Sequence, residues 1–213
     1  MVVPPSPSQS PSPSPSASRS PDAEDYSSAA PDGIITTDTR PTGAYRSSTL
    51  TIAPTHTAPT THTYVVKVET SLDLDADEVA RQVQATLDDP RGWVGYGRNN
   101  FRLVPAAASP QFTIYIATGR TVNRLCAPLS TGGKWNCRNG DAVVLNADRW
   151  IYATPTYTDL GAYRNYLVNH EVGHYLGQGH VPCPRKGGKA PVMMQQSIDL
   201  GGCLPNPWPR ESA

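Results

Sequence analysis

The sequence predicts an α+β domain over residues 61–213, preceded by a linker at residues 1–60. Three observations carry this. Several short stretches alternate apolar and polar residues and are rich in β-branched side chains, as half-buried strands are. Two longer stretches repeat apolar residues at steps of three and four, as amphipathic helices do. The last part of the chain is rich in Gly and Pro and carries little regular pattern.

The elements follow in order. Half of the 22 prolines fall in residues 1–60, mixed with Ser, Thr and Ala. Such a segment buries too little apolar surface to offset its ordering entropy, so it reads as a disordered linker. THTYVVKVET (61–70) alternates and reads as a strand. DADEVARQVQATLDD (75–89) reads as a helix with Asp75 or Asp77 as cap, an apolar stripe of Val79, Val83 and Leu87, and a stop at Pro90. Residues 91–104 start Gly-rich and end strand-like. QFTIYIAT (111–118) is a strand with Phe112, Ile114 and Ile116 on one face. DAVVLNA (141–147) and RWIYA (149–153) read as two more short strands. A final helix runs from about Asp159 to Leu176. Its stripe of Leu160, Tyr163 and Leu167 continues onto His170, His174 and Gly177.

Composition excludes some functions. The chain has 18 basic and 18 acidic side chains, so no bulk field draws it to nucleic acid or anionic lipid. No apolar run reaches the roughly 18 residues that a membrane span needs. Residues 1–30 show no signal-peptide pattern. The cysteines nonetheless point to an oxidising compartment, extracellular or at the cell surface. An export signal or anchor upstream of Met1 is therefore expected. A monomer is the default expectation.

The chemistry concentrates in His170-Glu171-Val172-Gly173-His174-Tyr175-Leu176-Gly177-Gln178-Gly179-His180. On a helix, residues four apart lie one above the other, so His170 and His174 can face one Zn²⁺ ion. Glu171 is offset by one residue. It flanks the ion and can act as general base. Gly177 ends the helix and lets the chain turn, which brings His180 round as third ligand. Three protein ligands leave a fourth position for water, the arrangement of a catalytic site. His56 and His62 lie in or beside the linker and read as bland.

HExxHxxGxxH resembles the metzincin clan of zinc endopeptidases. In that clan a tight turn carrying a Met follows the third His. PVMMQQS (191–197) stands there, with Met193 in the role and Met194 as alternative. APVMMQQS, GGC and LPNPWP together resemble a family of secreted actinomycete proteins of unassigned function with a metzincin-like core. The match covers roughly residues 62–213. It implies a twisted mixed sheet with a backing helix and an active-site helix, and an irregular C-terminal subdomain. It also implies that substrate adds as a strand at a sheet edge, for which DAVVLNA (141–147) is the candidate. Several metzincins carry a Tyr two residues after the turn Met. Gln195 stands there instead, followed by Gln196. Either glutamine can serve an oxyanion, or both can simply hold the turn.

Cys126, Cys137, Cys183 and Cys203 allow three pairings. The expectation is Cys126–Cys137 and Cys183–Cys203, the second closing a loop that contains Met193. The expected function is a zinc-dependent endopeptidase acting on a peptide or protein outside the cytoplasm. The alternatives are a hydrolase of cell-wall peptides and a non-catalytic, zinc-stabilised binding module of the cell envelope.

Overall fold

The computed structural model describes residues 31–211. They form an α+β fold around one twisted mixed sheet. Its strands are β1 (Tyr45–Ser47), β2 (Thr60–Glu69), β3 (Asn99–Leu103), β4 (Phe112–Ala117), β5 (Cys137–Asn139) and β6 (Ala142–Asn146). The order is β1-β2-β4-β6-β5, and β3 also pairs with β2. The central pairs are parallel and the two terminal pairs, β1 with β2 and β5 with β6, are antiparallel.

Helices cover both faces. α1 (Ala76–Leu87) and α4 (Leu160–Tyr175) pack on one. Val79, Val83 and Leu87 of α1 meet Phe112, Ile114 and Ile116 of β4 in the main core, as the stripes in the sequence require. α2 (Gly119–Cys126) covers the other face, where Val122 and Cys126 meet Ala117 and Val144. Among the described residues no helix is long and apolar enough to cross a membrane. Both expected disulfides are present, Cys126–Cys137 and Cys183–Cys203. Two such bridges fit an oxidising, extracytoplasmic compartment.

Four expectations need correction. First, residues 31–60 belong to the fold. Tyr45–Ser47 pairs with Lys67–Glu69, and Thr37 donates from its backbone N–H and hydroxyl to Asp148 at 2.9 and 2.7 Å. Ser48 and Thr49 donate to Asp77. Composition argued for a linker because it counts apolar burial; this segment is held by hydroxyls and backbone N–H groups on carboxylates. The expected linker residues 1–30 lie outside the described residues. Second, residues 149–152 of that expected strand are helical, within α3 (Ala147–Tyr152), and Ala153 follows the helix. The Asn146 side chain caps it by accepting from Asp148 N–H at 2.8 Å, and that cap overrides the aromatic, β-branched local pattern. Third, α2 is a helix that periodicity did not suggest, because it spans only Gly119–Cys126. Fourth, β6 is interior and β5 is the edge. Val143–Leu145 is buried on both faces, which is what a continuous apolar run in a parallel sheet signals.

One buried carboxylate ties the N-terminal segment down. Glu69, at the end of β2, is fully buried. It accepts from Thr42 and Gly43 N–H, from Thr118 N–H and hydroxyl, and from the Thr121 hydroxyl. Burial alone would raise its pKa, but the hydrogen bonds outweigh it and the net shift is downward. The stabilisation is therefore fully present above the ordinary glutamate pKa of about 4.3 and is lost as pH falls through the lower folded value. Glu69→Gln turns two of these donors against an NH₂ group. It is expected to cost about 2–4 kcal/mol, read as a lower Tm at pH 7 and a smaller loss of Tm on acidification than in the unaltered protein.

Candidate metal centre

α4 starts at the Asp159 cap, whose side chain accepts from Ala162 N–H at 3.0 Å. The helix carries His170, Glu171 and His174 near its end, and the first two are buried. It stops at Leu176. Gly177 follows at φ 84°, donating to His174 O at 3.0 Å, while Gln178 N–H donates to Gly173 O at 2.9 Å. This is the left-handed termination that glycine permits. It turns the chain so that His180 comes back over the helix, where Val181 N–H donates to Met193 O at 3.2 Å.

The three histidines converge. Nε2 of His170 is 3.0 Å from that of His180 and 3.2 Å from that of His174, and His174 to His180 is 3.0 Å. Nitrogens on a tetrahedron with bonds of about 2.0–2.1 Å sit about 3.3 Å apart. The tautomers agree. His170 Nδ1–H donates to Val192 O at 2.8 Å and His174 Nδ1–H to Gln178 O at 2.9 Å. Carbonyls only accept, so Nε2 of each ring carries its lone pair toward the common point. Lone pairs this close repel unless a cation lies among them. Burial, then the neighbouring His174, pushes the His170 pKa down to about 3, which keeps that ring neutral and ligand-ready. The trio can hold a metal ion.

Glu171 lies beside this point, and burial raises its pKa to about 8. A divalent cation nearby would oppose that shift by favouring the charged form.

The 191–197 segment packs against the helix through Met193. Met193 packs beneath α4 in the main core. A Cβ at Gly173 would lie 2.4 Å from Met193 Sδ and 2.8 Å from a Trp93 ring carbon. Trp93 is itself fixed by donating Nε1–H to Asn169 O at 2.8 Å. Gly173→Ala would gain about 1 kcal/mol of helix propensity but overpack this contact at about 1–3 kcal/mol. A net loss of stability is expected by thermal unfolding, where an exposed helical Gly→Ala would give a gain. Met194 instead packs with Ala190 and Cys203. It also lines an open cleft of about 520 Å³ beside His180, with Val181, Pro182, Ile198 and Asp199.

The two glutamines separate. Gln196 is fully buried and committed. Its Oε1 accepts from Tyr157 OH and Asn206 N–H, and its Nε2 donates to Pro191 O and Asn206 O. It supports the turn. Gln195 reaches toward the site, where it lines the cleft and also a cavity shared with His170 and Glu171.

Residues 30–207 match the family described as "Protein of unknown function (DUF3152)". The chain belongs to this DUF3152 family. The match starts within the segment that composition assigned to a linker, in line with the pairing of β1. No curated protein and no solved structure matches the chain.

Sequence reading missed several site residues of this DUF3152 chain. Tyr163 OH bonds Ser197 Oγ at 2.8 Å. Tyr166 OH donates to Met194 O and accepts from Gln196 N–H, both at 2.9 Å. Burial raises the pKa of Tyr157, Tyr163 and Tyr166, so all three stay neutral donors that hold the turn. Tyr166 sits four residues before His170, its ring centroid 5.2 Å away. That spacing was the available signal. Trp135 and Asn136 also line the Glu171 cavity. They precede Cys137, whose bridge to Cys126 anchors their loop. No local pattern announces them.

Proposed function

We propose that this chain is a zinc-dependent endopeptidase acting outside the cytoplasm. The observation that carries the reading is the convergence of three imidazole Nε2 atoms, 3.0–3.2 Å apart, with a buried glutamate one residue along the same helix. His170, His174 and His180 would hold the ion. When bound, it supplies a Lewis acid that polarises a carbonyl and brings a water's pKa toward about 7. Glu171 takes the water's proton at its carboxylate and passes it to the leaving amine. Burial makes that carboxylate a stronger proton acceptor than an exposed one. The tyrosine-held turn fixes the floor of the site, so the histidines need little reorganisation. The metzincin-like spacing HExxHxxGxxH and the Met193 turn support the same reading.

The cleft beside His180 has apolar walls and one carboxylate, Asp199. It suits a peptide with an apolar side chain or a long side chain with a cationic tip.

The test is cleavage of a diverse peptide library by the full chain, followed by mass spectrometry, with zinc and with a chelator. Cleavage that needs zinc supports the reading. A folded, zinc-loaded chain that cleaves no library peptide overturns it. Peptidoglycan fragments then separate a cell-wall hydrolase from a binding module.

A further inference from the structure

Glu171 and Gln195 each end in a buried polar atom with no protein partner among the described residues, Oε2 and Nε2 respectively. One is an acceptor and the other a donor. Both side chains line the same cavity of about 20 Å³. Several other polar groups around it are engaged. Tyr166 OH serves Met194 and Gln196, His170 Nδ1–H serves Val192, and Ser197 Oγ pairs with Tyr163 OH. Asn136 Oδ1 accepts from Asn146 N–H at 2.8 Å.

A buried donor or acceptor left unmade costs about 1–3 kcal/mol. Two such atoms on residues that line one cavity are a double penalty, and their chemistry is complementary. A cavity needs about 10–15 Å³ to take one water, and a buried water needs two to four polar partners. The cavity has that room, and these two atoms are the partners without another claim on them.

We propose that one ordered water occupies this cavity, accepting from Gln195 Nε2–H and donating to Glu171 Oε2, so that Gln195 is a positioning residue for the base. The terminal torsion of a glutamate is broad. Pinning one oxygen from behind fixes where the other points. The water site stands on the geometry alone; its catalytic consequence rests on the peptidase reading. Gln196 cannot take the role, because its amide is spent on the turn.

The experiment is a crystal structure of the full chain at a resolution that shows ordered water, with kinetics of Gln195→Leu and Gln195→Met. The expected result is a water within hydrogen-bond distance of both atoms, at about 2.7–3.2 Å. In both variants kcat falls about 10–100-fold, a larger change than any in KM, with zinc content and far-UV circular dichroism unchanged. A direct Nε2–Oε2 bond without water overturns the site. An unchanged kcat in folded variants overturns the positioning role. A chain that shows the water yet cleaves no peptide supports the site and overturns the peptidase reading instead.

Discussion

Glu171→Gln is expected to lower kcat for peptide hydrolysis by about 10²–10⁴-fold while the chain keeps its zinc. The substitution preserves size and removes only the basic oxygen. The Nε2 atoms of His170 and His174 do not depend on it, because carbonyls of Val192 and Gln178 orient those two rings. Stability should move the opposite way. Burial raises the Glu171 pKa to about 8 in the metal-free chain. A carboxyl with a raised folded pKa contributes stability that is fully present below its unfolded pKa and is lost as pH rises through the folded value. Between about pH 4.3 and pH 8 the metal-free chain therefore carries a growing cost that the Gln variant lacks. The metal-free variant should have the higher Tm at pH 8 and lose less Tm between pH 5 and pH 8. A variant that retains full activity would refute the general-base role. A variant that unfolds would show Glu171 to be a structural group.

The site was far more legible in the sequence than the frame around it, and the reason is spacing. His170, Glu171 and His174 share one helix, so 3.6-residue geometry places them from residue number alone. His180 follows because Gly177 can adopt φ 84° and turn the chain. The core stripes of α1 and β4 were readable for the same reason. What escaped depends on contacts distant in sequence. The N-terminal segment read as linker because its Ser and Thr hydroxyls look solvated until Asp77 and Asp148 appear beside them. Residues 149–153 look like a strand by residue type, and the Asn146 cap makes 149–152 helical. The family resemblance points to β6 as an edge, while its own apolar run argues for the interior. Gln195 and Gln196 are neighbours of one residue type. Only the fold spends the amide of one on Pro191 and Asn206 and turns the other toward Glu171.

His180→Ala is expected to lower zinc affinity by about 2.5–4 kcal/mol, or roughly 10²–10³-fold, taking structural zinc at about 10–16 kcal/mol shared over four ligand positions. His180 stands on the returning loop after Gly177 and not on the helix. Its removal should leave the metal-free fold within about 0.5 kcal/mol. His170 and His174 would remain, 3.2 Å apart and still held by their carbonyls. Two ligands keep a weakened site, so excess zinc should restore part of the bound metal. Activity should not return in proportion. His180 also lines the cleft together with Val181 and Gln195, and its loss opens the site to water on that side. Competition with a chromophoric chelator gives the affinity, and thermal unfolding of the metal-free chain gives the control. Unchanged affinity would remove His180 from the ligand set and leave a two-histidine site. A matched fall in affinity and in metal-free stability would mean that His180 acts through the fold of the 177–181 turn and not through the ion.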